Sequence, residues 1–195
     1  MFQNKSLFIF FGKPGCGKDT ACNLLRDMVG SGLVTMINSS DIIKEAFELL
    51  GISFNRDNCA KFFISLSGEF PGWLSNAVRN RIENAKTNIV FYPGARKETD
   101  ENLKLIFPGT KVIWVEASAD TRYKRIRGRV SGGKAGEDSL SRADFDRQDL
   151  ASNELYRPSS PDFEIDNNWD IANLRVQIQR LQRCISLSPV HSTQA

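Results

Sequence analysis

The chain alternates short, wholly apolar runs with longer stretches in which apolar residues recur every three or four positions. Consecutive apolar residues ending in glycine mark a buried strand, whereas a three-to-four spacing marks a helix with one buried face. On this reading residues 6–12 (SLFIFFG) form the first strand. A helix follows, with apolar positions at Ala21, Leu24, Leu25 and Met28 and a stop at Gly30. Further strands are expected at 33–38, 88–94, 110–117 and 162–167. Helices are expected at 39–51, with a Ser cap and Gly51 at its end, over most of 55–86, and around 97–106. Three more are expected: one opening Ser-x-x-Thr at 118, one around 141–154, and an amphipathic one at 170–185. Strands alternating with helices imply an α/β fold whose parallel sheet is covered on both faces. No internal repeat or low-complexity linker interrupts the pattern. One domain is expected over 1–185, with insertions at 39–86 and 125–150 and a disordered polar tail at 186–195.

Composition narrows the chemistry. With 195 residues, 41% apolar and 25% charged, the chain has the make-up of an ordinary soluble globular domain. A net charge of +3 is too small to imply a polyanionic partner. No apolar run is long enough to span a bilayer, and the first residues lack a signal-peptide pattern, so no membrane partner and a cytoplasmic location are expected. Cys16, Cys22, Cys59 and Cys184 have no metal-ligand spacing and are expected to be reduced. The sole histidine, His191, lies in the tail, which removes histidine-based nucleophilic and zinc chemistry. Lys, Arg, Asp and backbone groups are left to do the work.

The segment GKPGCGKD (12–19) nearly matches the phosphate-loop pattern G-x-x-x-x-G-K-[ST] and sits between a strand and a helix, as that pattern requires. Glycines let the backbone bend so that several N–H groups face phosphate oxygens. The helix N-terminus adds its positive dipole end, and Lys18 adds a charge for the outer phosphates. A plain glycine turn would account for the glycines but not for the lysine at this spacing. Gly12, Gly15, Cys16, Gly17, Lys18, Asp19 and Thr20 are therefore the candidate ATP-phosphate site. The hydroxyl residue is displaced by one, to Thr20. An Asp at 19 is favoured by the dipole but would repel phosphate, so it is expected to face outward or to touch a magnesium-bound water.

GKPGCGKDT resembles the loop of the nucleoside monophosphate kinases, where adenylate kinase carries G-x-P-G-x-G-K-G-T. Its Lys-Asp-Thr ending is similar to that of some phage-type deoxynucleotide monophosphate kinases. The resemblance implies a three-layer P-loop kinase fold with a five-stranded parallel sheet, an acceptor insertion and a lid, and it puts magnesium near Thr20. INSSDIIK (37–44) resembles the adenylate kinase segment I-S-T-G-D-M-L-R. That implies Asp41 near the reacting phosphates, as a second metal candidate, and Lys44 in place of an arginine on the acceptor phosphate. FYPGAR (91–96) implies Arg96 in the acceptor site. The Asp that the family carries after the third strand falls here on Tyr92 or Pro93, so Asp41 or Asp19 would have to substitute for it.

TRYKRIRGR (121–129) has basic residues at 122, 124, 125, 127 and 129. Helical spacing puts Arg122, Arg125 and Arg129 on one face. RIRGR resembles the lid start R-I-V-G-R, which implies Arg125 on the donor base and Arg129 on the phosphates. SGGKAG (131–136) has no strand before it and reads as a lid tip. FDRQD (145–149) and SPDFEIDN (160–167) resemble segments of dephospho-CoA-kinase-like nucleotide kinases. They imply Arg147, with Arg142 as a weaker candidate, closing the lid, and Asn167 near the donor base. The implied catalytic set is Lys18, Arg96, Arg125 and Arg129, and the implied partners are ATP with Mg2+ and a small phosphorylated acceptor. The implied reaction moves the γ-phosphate of ATP to a nucleoside or deoxynucleoside monophosphate. A dephospho-CoA-kinase-like activity and a nucleotide-binding regulatory protein are the alternatives. Nucleic-acid binding through 122–129 ranks last, because no aromatic platform is evident beside the cluster. Phe62, Phe63, Phe70 and Trp73 fall in the acceptor insertion and are core residues unless a substrate packs on them.

Overall fold

The computed structural model describes residues 5–54, 56–95, 98–128, 140–151 and 157–186. Five parallel strands run in the order β2-β3-β1-β4-β5: β1 (Ser6–Phe11), β2 (Val34–Met36), β3 (Ile89–Tyr92), β4 (Lys111–Glu116) and β5 (Phe163–Asp166). The helices are α1 (Lys18–Val29), α2 (Ser39–Leu50), α3 (Arg56–Glu69), α4 (Trp73–Glu83), α5 (Glu98–Glu101), α6 (Leu103–Ile106), α7 (Ala119–Arg127), α8 (Arg142–Ala151) and α9 (Ile171–Ser186). This is the expected five-stranded α/β sheet between two helical layers.

β1 lies at the centre because it is apolar on both faces. Phe8 and Phe10 join Phe91, Ile113, Val115 and Ile165 under α1 and α9, which supply Leu25, Leu174, Ile178 and Leu181. Leu7, Ile9 and Phe11 face the other way, onto Ile42 of α2, Val78 and Ile82 of α4, and Leu103 of α6. Consecutive residues of a strand point to opposite faces, so one uniformly apolar strand feeds both cores. In register, Ser6 pairs with Ile89 on β3 and Phe8 pairs with Lys111 on β4.

The chain leaves β1, forms α1 and returns as β2 beyond β3, whereas β3 leads to β4 on the other side of β1. That reversal of direction opens a crevice at the carboxyl ends of β1 and β3, where open α/β sheets bind ligands. The loop after β1 lies there.

Most differences from the sequence reading are at element ends. The helix expected around 97–106 is two single turns, α5 and α6, separated at Asn102. The stretch 55–86 is mostly helical as expected, in two helices parted between Glu69 and Trp73, where Gly72 has φ 79°. The Ser cap expected for the helix at 39–51 is not formed: Asn38 is the capping position and makes no side-chain cap bond. Ser39 is instead the first helical residue, and its Oγ donates to Gly94 O at 3.3 Å. Gly94 allows this approach, because a Cβ there would stand 2.8 Å from Ser39 Oγ. Residues 187–195, including the tail histidine, lie outside the described residues.

Phe91 is fully buried, with its ring 5.4 Å from that of Phe8 and 6.0 Å from that of Phe10, both edge-on. Phe91→Ala is expected to lower unfolding stability by about 3–5 kcal/mol, the cost of a large cavity in a rigid core. The chemical denaturation midpoint should fall accordingly, and a loss below about 1 kcal/mol would mean that the sheet collapses around the gap.

Candidate active site

β1 ends at Phe11, and the following loop carries the chain to the start of α1 at Lys18. Gly12 has φ 149° and Gly17 has φ 94°, both in territory that other residues rarely adopt. Space forbids a side chain at either position as well. A Cβ on Gly12 would stand 2.2 Å from Val115 O, and one on Gly17 would stand 2.2 Å from Asn167 Nδ2. Glycine is thus required twice over at both, once by conformation and once by packing.

Lys18 is the first residue of α1, and its Nζ folds back over the loop, donating to Gly12 O at 2.5 Å and lying 3.5 Å from Lys13 O. It also lies 3.9 Å from Cys16 Sγ. The loop therefore curves around an ammonium group at a helix N-terminus. Such an arrangement favours an anion for two separate reasons, fixed charge and oriented backbone dipoles. The ammonium group, the helix N-terminus and glycines that admit no side chain are the features a bound polyphosphate would need. Thr20, in the first turn of α1, is exposed and could supply a hydroxyl to a magnesium ion carried in with a nucleotide. Asp19 is also exposed, as expected for a carboxylate that must stay off the phosphates. On the buried side of α1, burial pushes the Cys22 thiol well up, with the Asp19 charge adding to it. Cys16 and Cys22 are free thiols sealed in the core.

Two candidates from the far half of the chain do reach the loop. Asn167, just past β5, is 5% exposed and donates from Nδ2 to Cys16 O at 2.7 Å. Arg125, on α7, donates to the same carbonyl at 3.4 Å and lies 3.5 Å from Asn167 Oδ1. Helix α7 starts on a real cap, with Ser118 Oγ accepting from Thr121 N at 3.2 Å. It also packs directly on the loop, since a Cβ at Gly15 would meet Arg122 O at 3.0 Å.

The basic run of α7 is divided: Arg122 is buried and Arg125 half-buried, whereas Lys124 and Arg127 are exposed. Arg122 is 3% exposed; its Nε donates to Ala117 O at 3.0 Å, and its two terminal nitrogens meet both oxygens of Asp149 at 2.5 and 2.8 Å. Asp149 also accepts from Lys13 of the loop at 3.4 Å. The hydrogen bonds from Arg122 hold the Asp149 carboxyl below the usual Asp range; burial opposes this, while the charges of Arg122 and Lys13 add to it. Aromatic rings fill the rest of the seam. Tyr123 lies between Arg127, 5.9 Å away, and Arg142, 5.4 Å away, and Phe145 lies 5.5 Å from Arg122. These arginines are occupied within the fold. Sequence reasoning misses Asp149 and Lys13, although both lie in segments that stand out: FDRQD and the glycine loop.

Other expected residues are placed differently. Arg147 has a 78% exposed side chain and pairs with Asp144 at 3.3 Å, on the outside of α8 and away from the loop contacts. Arg142 pairs with Asp120 at 2.5 Å and Asp146 at 2.9 Å. Asp41 and Lys44 lie together on α2, 3.9 Å apart and both half exposed, with Asn38 Nδ2 donating to Asp41 at 3.2 Å. Lys44 Nζ sits 5.4 Å from the Phe54 ring. Phe47, Phe62, Phe63 and Trp73 form one cluster of edge-on and tilted rings beside them, whereas Phe70 is largely exposed. Tyr92, one of the two positions at issue at the end of the third strand, is buried and donates to Asp100 at 3.2 Å. Arg96, Arg129 and the 131–136 tip lie outside the described residues. Among the described residues no three His, Cys, Asp or Glu side chains converge on a metal-sized point, and no helix is long and apolar enough to cross a membrane.

No family model matches the sequence, and no curated protein matches it. Solved structures match the fold. A gluconokinase from Sinorhizobium meliloti superposes with a TM-score of 0.56 at 15% identity, over 94% of this chain and 97% of that one. A shikimate kinase from Bacteroides thetaiotaomicron gives 0.56 at 15% identity, over 93% and 98%. A Thermus thermophilus protein gives 0.67 at 14% identity, over 96% and 100%. The chain thus has the fold of the small P-loop kinases, along its whole described length.

Asp149→Asn should leave Arg122 buried without its counter-charge and destabilise the protein by about 3 kcal/mol at neutral pH. Because the folded carboxyl titrates below its unfolded value, this contribution is complete above the ordinary Asp range. It is lost as pH falls through the lowered folded value. Urea midpoints of wild type and variant should therefore differ at pH 7 and converge in strong acid. A pH-independent gap would show that the charge pair is not its source.

Proposed function

We propose that the chain is an ATP-dependent phosphotransferase acting on a small molecule, with a nucleoside or deoxynucleoside monophosphate as acceptor. The observation that carries this reading is the closure of the glycine loop around Lys18 at the N-terminus of α1, with Gly12 and Gly17 in conformations and contacts that admit no side chain. In phosphoryl transfer the protein aligns two phosphates and offsets developing charge, so the work falls to cations and backbone amides. Lys18 and the loop amides hold the β- and γ-phosphates of ATP. Thr20 holds the magnesium that enters with them, and that ion supplies further charge neutralisation when bound. Asp41 and Lys44, at the start of α2, face the acceptor together with Arg96. Arg125 brings positive charge from α7, and the resemblance adds Arg129 to it, to offset charge and keep water out.

A second reading has its own support. The structures of similar fold include proteins named gluconokinase and shikimate kinase, names that point to hydroxyl rather than phosphate acceptors. By the sequence resemblance, the Asp of a nucleoside monophosphate kinase falls on Tyr92, which is bonded to Asp100, or on Pro93. On that reading Asp41 receives the proton of an acceptor hydroxyl as the bond to phosphorus forms, as a carboxylate does in other phosphotransferases.

One assay separates the two. ADP formation from ATP and magnesium is followed with each common nucleoside and deoxynucleoside monophosphate, with dephospho-CoA, with gluconate and shikimate, and with buffer alone. Stimulation by a monophosphate supports the first reading, and stimulation only by a hydroxyl acceptor replaces it with the second. Equal slow release in every well favours a nucleotide-binding regulatory protein. Lys18→Ala is expected to cut the stimulated rate by at least about a hundredfold while the circular dichroism spectrum stays unchanged. Turnover retained in that variant would remove Lys18 from the mechanism.

A further inference from the structure

The loop that curves around Lys18 is also gripped from outside, by a residue 151 positions beyond Cys16 in the chain. A buried primary amide has to place both its donor and its acceptor. Asn167 does so with Nδ2 on Cys16 O at 2.7 Å and Oδ1 3.5 Å from Arg125, whose other nitrogen reaches the same Cys16 carbonyl. Its own main chain is fixed as well, with Asn167 N donating to Glu116 O at 2.8 Å as β5 ends. The clamp is anchored in the sheet.

No described peptide bond is cis, so the Cys16–Gly17 peptide is trans, and in a trans peptide the carbonyl and the following N–H point in opposite directions. A Cys16 carbonyl held towards Asn167 and Arg125 turns the Gly17 N–H away from them. Glycine at positive φ makes the opposite orientation accessible too, because a peptide next to glycine flips between turn types at little steric cost. In the flipped form the carbonyl dipole, not the N–H, would face an anion in the loop. Something must choose between them, and among the described residues the polar side chains on this carbonyl are those of Asn167 and Arg125.

We infer that Asn167 is a positioning residue of the phosphate loop: it holds the Cys16 carbonyl outward, so that the Gly17 amide stays turned to the phosphates of the donor. This rests on the loop being the donor-phosphate site. It assigns Asn167 to the shape of the loop and not to recognition of the base, and so its effect on binding is blind to the base. Arg125 backs the same carbonyl from α7, and the Asn167 amide also fills the space that any side chain at position 17 would need.

Titration calorimetry on the full chain, with magnesium, compares ATP, GTP and inorganic tripolyphosphate, which has no base. Asn167→Ala is expected to weaken all three by one common factor of about ten, the size expected for loss of one well-formed hydrogen bond. The ratio of ATP to GTP affinity should not change. Weaker ATP binding with unchanged tripolyphosphate binding would put Asn167 on the base and overturn the inference. A lower thermal midpoint with all three affinities intact would make its role purely structural and overturn it equally. Asn167→Asp, nearly isosteric and still able to pair with Arg125, covers an alanine variant that does not fold; it lacks the Nδ2 donor and should show the same common loss. Lys18→Ala run beside them tests the underlying reading. Wild-type affinity for tripolyphosphate in that variant would remove the donor site itself, whatever Asn167 does.

Discussion

A guanidinium that has lost its water must be given a carboxylate, and the Arg122–Asp149 pair is where this fold meets that requirement. The pair joins three parts of the chain that are distant in sequence. Arg122 belongs to the helix that lies on the glycine loop, Asp149 belongs to α8, and Lys13 of the loop shares the same carboxylate. Between the two helices the exposed Arg142–Asp120 pair adds to it, but Arg122–Asp149 is the buried one. The apolar part of the seam, Phe145 and Tyr123 between arginines, would hold the helices near each other without fixing their register. A buried bidentate pair is weak evidence for net stability but strong evidence for a single arrangement, because a planar fork accepts few geometries. What it fixes here is the wall against which the phosphate loop is built.

The fold was legible because its signals were redundant. β1 is apolar at every position from Leu7 to Phe11, and such a strand is stable only in the middle of a sheet covered on both faces. Gly30 and Gly51 end α1 and α2 where expected, with φ 111° and 65°. Periodicity failed where tertiary contacts took over. Ser39 looks like a cap, but its hydroxyl is taken by Gly94 O, a bond across 55 positions that no local pattern carries. The stretch at 98–106 has helical spacing, yet Leu103 and Phe107 are drawn into the core and it breaks into two turns.

The candidate site divides along the same line. The placement of loop residues 12–20 between a strand and a helix could be read directly, and the structure puts them between β1 and α1. The arginines could be counted but not assigned. Of those between 122 and 147, Arg122 is a buried structural cation and Arg142 is paired on both sides, while Arg147 faces solvent on α8. Nothing in the sequence separates these fates, since each depends on which carboxylate a distant helix brings up. Asn167 is a similar case: its position after the last strand was readable, but its partner, the Cys16 carbonyl, is a main-chain atom that no motif records.

At the carboxyl end of β3 the side chain in place is neutral: Tyr92 is buried and its hydroxyl donates to Asp100. Asp41 of α2 is by contrast half exposed, close to the start of its helix, and steadied by Asn38 and Lys44 without being buried by them. On the proposed reading, the choice between a phosphate and an alcohol acceptor turns on Lys44 as much as on Asp41, which lies 3.9 Å from it on the same helix. Lys44, a point charge beside the Phe54 ring, can neutralise a phosphate but cannot grip it through a planar fork. On that reading an acceptor would need a second anchor, and the aromatic cluster of Phe47, Phe62, Phe63 and Trp73, which α2 joins through Phe47, offers one.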